Sequence, residues 1–226
     1  VIDVLKNNRL ALMCGKNVKK LEKKVANIFN KEFGLMTNSG SSANLIGVQA
    51  LNLEKGSKVI TPSLTFSTTV SPIVQSGLVP FFIDVEKETM QMNTSLLKKI
   101  PLEGVSAICV PNLIGNVANW EEIYHFAKEN NLKTIEDSAD TIGYKYSTDI
   151  NNWSDVSTTS FYASHVVTGA GFGGMTCFSD KENYDLGLSL RGWGRRSSLY
   201  GETEDYERRF NAKIDGINYD DKYIFD

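Results

Sequence analysis

The chain has 226 residues, 41% of them hydrophobic and 23% charged, the balance of an ordinary globular protein with enough length to bury a full core. A net charge of −3 with no long Lys/Arg cluster excludes a surface built for nucleic acid. No apolar run reaches the roughly 18 residues needed to cross a bilayer, so no membrane partner is expected.

In chain order, the N-terminal VIDVLKNNRL already has a helical pattern. Residues 16–29 carry Val18, Leu21, Val25 and Ile28 on one stripe, which predicts a helix ending near Asn30. Lys19, Lys20, Lys23 and Lys24 fall on the same stretch, broken by Glu22, and read as a solvated face. Residues 41–53 predict a second helix, opened by a turn of small residues. Short apolar runs at 58–60, 79–85, 106–110, 133–135, 157–161 and 175–178 predict strands, several too uniformly apolar to have a wet face. Helices are expected between them at 70–76, 94–100 and 120–130. Strands alternating with helices through short polar connections predict an α/β three-layer domain around a largely parallel sheet. In such sheets ligands bind beyond the strand ends.

Cys14, Cys109 and Cys177 are odd in number and scattered, fitting neither a disulfide framework nor a zinc knuckle. They predict a reduced, cytoplasmic-type protein. The first residue is not Met and the last segment, YDDKYIFD, has no closing element, so the chain reads as a fragment of a longer protein.

Four segments carry residue types suited to chemistry. Asn38-Ser39-Gly40-Ser41-Ser42-Ala43 precedes a helix, where small residues and free N–H groups suit a phosphate; a plain helix cap is the alternative. Ile135-Glu136-Asp137-Ser138-Ala139-Asp140 ends an apolar strand with carboxylates, which need a cation, a metal or solvent. A protonated pyridine nitrogen is one such cation; a metal on Asp137 and Asp140 is less favoured, because no His or Cys lies close in sequence. His165 follows Ser160-Phe161-Tyr162-Ala163-Ser164 and precedes a glycine stretch, within reach of a ligand. The other of the two histidines, His125, sits in EEIYHFAKEN, where a surface or packing role is expected. Arg191-Gly192-Trp193-Gly194-Arg195-Arg196 can grip phosphate, stack on a ring, or form a solvated turn.

Taken together and in order, NSGSSANL, VITPSLTFSTTVSPIVQSGLVPFFIDVE, EDSAD and SFYASH resemble the DegT/DnrJ/EryC1/StrS sugar aminotransferase family along nearly the whole chain. The resemblance implies the large domain of a fold-type-I pyridoxal phosphate enzyme, with a mostly parallel seven-stranded sheet in an α/β/α sandwich. That domain would take in residues 1–226, with the stretch after about residue 190 leading to a smaller C-terminal domain that is largely absent. It also implies a homodimer with active sites at the subunit interface.

The carried-over roles put the cofactor phosphate on Gly40, Ser41, Ser42 and Ser160, Phe66 on the pyridine face, Asp137 on the ring nitrogen, and Asp140 near the ring's phenolic oxygen. Most of the family has Gln or His where Asp140 stands. His165 occupies the place of the lysine that anchors the cofactor covalently. The branch with histidine there comprises 3-dehydratases of nucleotide-linked 4-keto-6-deoxy sugars, and PNLIGN, RGWGR and YDDKY resemble its segments. The resemblance therefore implies pyridoxal or pyridoxamine phosphate as cofactor, with a nucleotide-linked sugar as substrate and glutamate as a typical amino donor. His165 would act as general base and then acid. Some of this branch holds an iron–sulfur cluster on cysteines after RxWGR; SSLYGETEDYERRF has none, so no cluster is expected. GAGFGG departs from the usual GEGG. Three rivals remain: a sugar aminotransferase with its lysine elsewhere, a non-catalytic binding homologue, and a metal-dependent hydrolase on Asp137, Asp140 and His165.

Overall fold

The computed structural model describes residues 2–7, 14–144, 152–199, 206–220, 222, 224 and 225. Of the YDDKY segment, Asp221 and Tyr223 lie outside the described residues, as do residues 200–205 of the stretch after RGWGR.

After a short helix α1 (Ile2–Asn7), α2 (Lys16–Ile28) stops where Asn30 turns left-handed at φ 52. Val25 and Ala26 are its buried residues, whereas Ile28, expected on the buried stripe, is exposed. Lys19, Lys20, Lys23 and Lys24 do face solvent. Glu22 between them turns inward and bonds the Met36 N–H at 2.9 Å.

The sheet has seven strands: β1 (Phe33–Thr37), β2 (Lys58–Pro62), β3 (Val79–Ile83), β4 (Val105–Pro111), β5 (Lys133–Asp137), β6 (Val156–Ser160) and β7 (Gly174–Phe178). Their order is β1-β7-β6-β5-β4-β2-β3. Neighbours from β6 to β3 run parallel, and β7 pairs antiparallel with both β6 and β1. The sequence patterns predicted every strand but β1. Its Gly34 lies against the backbone of α2, where a Cβ would stand 2.3 Å from the Glu22 carbonyl oxygen. That close approach requires glycine and also erases the apolar alternation by which strands are read.

On one face lie α3 (Gly40–Ala50), α4 (Ser67–Gln75) and α6 (Lys181–Arg191), over a core of Leu35, Val48, Val59, Ile73, Ile135, Val156 and Phe178. The other face holds α5 (Trp120–Glu129) over Ile60, Ile108, Val110, Trp120 and Ile123, and α2 over Met175 and Cys177. Residues 94–100, expected as a helix, form the tighter 3₁₀ helix Thr94–Lys99. Helix α6 was not predicted: it buries only Gly187, so it has no apolar stripe to betray it. Its start is marked instead by Asp180, whose side chain accepts from Asn183 N–H at 2.9 Å. Beyond α6 come the 3₁₀ turn Arg196–Leu199, a short α7 (Tyr206–Arg209), and a hairpin of β8 (Ala212–Ile214) and β9 (Ile217–Tyr219).

Cys14, Cys109 and Cys177 are free thiols; burial pushes the last two well above the ordinary range. Among the described residues, no helix is long and apolar enough to cross a membrane.

Candidate active site

The site forms where the parallel strands end. Ser39 caps α3, accepting from Ser42 N–H at 3.1 Å, and the helix N-terminus faces the end of β6. A Cβ at Gly40 would stand 2.6 Å from the Ser160 Cβ and 3.0 Å from its hydroxyl. Glycine at this position thus brings the first helical N–H groups beside the Ser160 hydroxyl, which accepts from Tyr162 N–H at 3.3 Å and keeps its own proton to donate. Helix-start N–H groups beside a hydroxyl suit a phosphate monoester. Gly40, followed by Ser41 and Ser42 in the first turn of α3, thus lies beside Ser160.

Asp137, the last residue of β5, is 6% exposed. Its Oδ2 accepts from Asn44 Nδ2 and from the Thr69 hydroxyl, both at 2.8 Å, and its Oδ1 accepts from Ala139 N–H at 3.2 Å. Burial pushes its pKa upward, the three hydrogen bonds pull it back in part, and the nearby Asp140 charge raises it further. These donors are neutral, so a cation beside the carboxylate would relieve the cost of holding this charge out of water. Asn44 is itself oriented, because its Oδ1 accepts from Thr158 and its Nδ2 also donates to the Thr68 carbonyl at 3.1 Å. Asn44, Thr69 and Thr158 were not singled out from the sequence. Asn44 and Thr69 lie inside NSGSSANL and TFSTT, but only the tertiary contact shows their part.

Phe66 precedes the first residue of α4, one turn before Thr69, and is 68% exposed, its ring free to cover a flat ligand. His165 lies beyond β6, its N–H bonded to the Tyr162 carbonyl at 3.0 Å. Its Nδ1 stands 3.3 Å from Asp140 Oδ1. His125, by contrast, is exposed on α5 beside the Tyr124 ring.

The RGWGR segment divides. Arg191 bonds Glu22 at 3.0 Å and the Met36 carbonyl at 3.2 Å, tying α6 to α2 and β1, so it is a structural tie. Arg195 stacks over the exposed Trp193 ring at 4.7 Å. The hydrolase reading finds no support in the geometry: among the described residues, no group of three or more His, Cys, Asp or Glu side chains is placed to hold a metal ion.

The donor set fits a pyridoxal phosphate-type group: a turn at Gly40 and Ser160 suited to a phosphate, a buried carboxylate with neutral donors, and an exposed aromatic ring. The fold is that of the fold-type-I aminotransferase-like enzymes. It superposes with a TM-score of 0.80 and 26% identity on a structure of Escherichia coli GDP-4-keto-6-deoxy-D-mannose-3-dehydratase with bound hydrated PLP, covering 98% of this chain and 60% of that one. The DegT/DnrJ/EryC1/StrS aminotransferase family model matches residues 1–219, and the chain belongs to this family. It is 34% identical over 228 residues to dTDP-4-dehydro-2,6-dideoxy-D-glucose 3-dehydratase of Saccharopolyspora spinosa, covering 96% of this chain and 49% of that protein. Over 181 residues it is 33% identical to GDP-perosamine synthase of Escherichia coli O157:H7, covering 80% of this chain and 50% of that protein. The chain thus spans about half the length of these curated relatives.

Proposed function

We propose that this chain is the cofactor-binding part of an enzyme that removes the C3 hydroxyl of a nucleotide-linked 4-keto-6-deoxy sugar, using pyridoxamine phosphate. The observation that carries this reading is His165. It stands where aminotransferases of the family have their anchoring lysine, and residues 161–173 that surround it contain no lysine at all.

When bound, pyridoxamine phosphate supplies an amine for the sugar ketone and a ring that takes up electrons. Gly40, Ser41, Ser42 and Ser160 bind its phosphate. Asp137 holds the proton on its ring nitrogen. Phe66 covers one ring face and excludes water from it. His165 takes a proton from the carbon next to the amine and returns one to the departing hydroxyl oxygen, a pair of tasks within the reach of an imidazole near neutral pH. A lysine there would compete as a covalent partner for the cofactor, which favours net amino transfer.

The likeness to a perosamine synthase favours a second reading, nucleotide-sugar amino transfer, which needs a lysine near the ring. Lys31 is buried and pushed down to about 8, the character such a lysine needs. It lies at the opposite end of the strands, however, ahead of β1 and bonded to Asn152 and the Ser154 carbonyl ahead of β6. This leaves the dehydratase reading ahead. A homodimer with the site at its interface agrees with the exposed apolar side chains of Ile114, Val166 and Phe172 around His165. A nucleotide-sugar substrate and glutamate-type donor support a cytoplasmic location.

The test is an absorbance spectrum of the protein with pyridoxal phosphate and then glutamate. Conversion to the pyridoxamine form, with no lysine adduct trapped by borohydride, supports dehydration. A trapped adduct on a protein lysine returns the chain to the aminotransferases, and no cofactor signal points to a binding homologue.

A further inference from the structure

The loop after β4 has no part in the chemistry described above, yet it ends on the candidate base. Gln91, 4% exposed, clamps Leu113 from both sides: its amide nitrogen, Nε2, donates to the Leu113 carbonyl at 3.0 Å, and its Oε1 accepts from Leu113 N–H at 3.3 Å. The next residue, Ile114, is held at φ 58 and ψ 35, a left-handed conformation that a β-branched side chain rarely adopts. That turn aims the Ile114 N–H at Asp140 Oδ2, 3.1 Å away. The other oxygen of the same carboxylate, Oδ1, lies 3.3 Å from His165 Nδ1. From the far side, the Thr141 hydroxyl donates to the Asn112 carbonyl at 3.1 Å, fastening the strand end that carries Asp140 to the loop.

We propose that Asp140 is a positioning residue for His165, held in place by the strained Leu113–Ile114 turn. This rests on the reading of His165 as the base. A carboxylate against Nδ1 keeps the imidazole proton on that nitrogen and leaves the Nε2 lone pair for the substrate side. Once Nε2 has taken a proton, the same carboxylate stabilises the imidazolium. The separation is at the long end for a charge-assisted hydrogen bond, as is common before a ligand closes a site. With one oxygen occupied by a backbone N–H, the carboxylate cannot turn away from the ring without leaving that N–H unpaired.

The Ile114 N–H also dictates what Asp140→Asn does. The Ile114 N–H demands an acceptor, so the new amide must offer its oxygen there and its NH₂ to His165. That arrangement places a donor against Nδ1 and forces the proton to Nε2, the wrong tautomer for a base.

Because this chain has only two histidines, ring ¹⁵N spectra of histidine-labelled protein can follow the tautomer directly, with His165→Gln identifying the signal. Expected are an Nδ1-protonated ring in the wild type and an Nε2-protonated ring in Asp140→Asn. Asp140→Glu should restore the first form. Dehydration should fall about a hundredfold or more in Asp140→Asn, by analogy with the loss when an orienting aspartate becomes asparagine in a hydrolytic triad. The absorbance band of the bound cofactor should not move. An unchanged His165 tautomer in Asp140→Asn overturns the proposal. So does a shifted cofactor band with the tautomer unchanged, which would put Asp140 on the ring oxygen instead. Asp140 is partly exposed, so these variants should fold. A tautomer switch from wild type to Asp140→Asn, in a wild type that never dehydrates a sugar, would retain the pairing and remove the dehydratase reading.

Discussion

The side-chain amide of Asn44 donates to Asp137 Oδ2 across 2.8 Å, joining positions 93 residues apart. Through it, the helix proposed to cradle a phosphate and the carboxylate proposed to meet a ring nitrogen share one rigid part. Thr158 on β6 fixes the amide's orientation, so the distance between the start of α3 and the Asp137 carboxylate is set by buried groups.

Asp137→Asn should separate binding from stability. Burial raises the Asp137 pKa in the folded protein above its unfolded value. The folded chain therefore holds the proton more tightly, and stability falls as pH rises from the unfolded carboxylate pKa through the folded one. Asparagine removes that loss. Its NH₂ must face a group that donated to the carboxylate, a cost that does not vary with pH. The cofactor-free wild type should therefore lose stability relative to Asp137→Asn as pH rises through that range. The variant's affinity for pyridoxal phosphate should drop about tenfold or more, a loss of roughly 1.4 kcal/mol. Thermal melts and an absorbance titration check both. Full affinity in the variant would remove Asp137 from the cofactor site.

Gly40→Ala should act on the phosphate cradle. The added methyl would meet the Ser160 side chain at 2.6 Å, so helix and strand end must part. Overpacking of this kind costs about 1–3 kcal/mol of stability. Binding of pyridoxal phosphate should weaken by about tenfold or more, whereas binding of dephosphorylated pyridoxal should change little. Equal losses for both compounds would show that the turn does not hold the phosphate.

His165→Lys should convert the chemistry. Dehydration is expected to fall by about 10²–10⁴, the usual worth of a positioned base. Borohydride should now trap pyridoxal phosphate on residue 165, located by mass spectrometry of the digested protein. Dehydration at the wild-type rate would rule out the role given to His165.

Lys31 predicts a stability that climbs in alkali. Burial pushes it down to about 8 from its ordinary 10.5, against the opposing pull of Glu136 and Asp155. Below the folded pKa, both folded and unfolded chains carry the charge and the burial cost is complete. Between the two values only the unfolded chain keeps the proton, so stability rises with pH, by about 3 kcal/mol in all. Lys31→Met lacks this group. Denaturant titrations from about pH 7 to 10.5 should show the wild type gaining on the variant across that window. A constant difference would place the Lys31 amine in contact with solvent.

The alternation of strands and helices, the glycine turn before α3, the aspartate at the end of β5 and the histidine after β6 were all legible in the residues alone, whereas the histidine's standing in place of a lysine came from the family resemblance. Each is a local matter: periodicity, capping and turn chemistry act between near neighbours in the chain. The tertiary structure decided what no local pattern encodes. Strand β1 went unread because Gly34 and a covering helix replace its apolar alternation, and α6 because it buries a single glycine. Arg191, read as a possible phosphate grip, is spent on Glu22. The donors on Asp137, the carboxylate beside His165 and the remoteness of Lys31 depend on which strand ends the sheet order brings together. Those contacts join residues tens of positions apart, and their energies exist only once the packed sheet has fixed the distances between them.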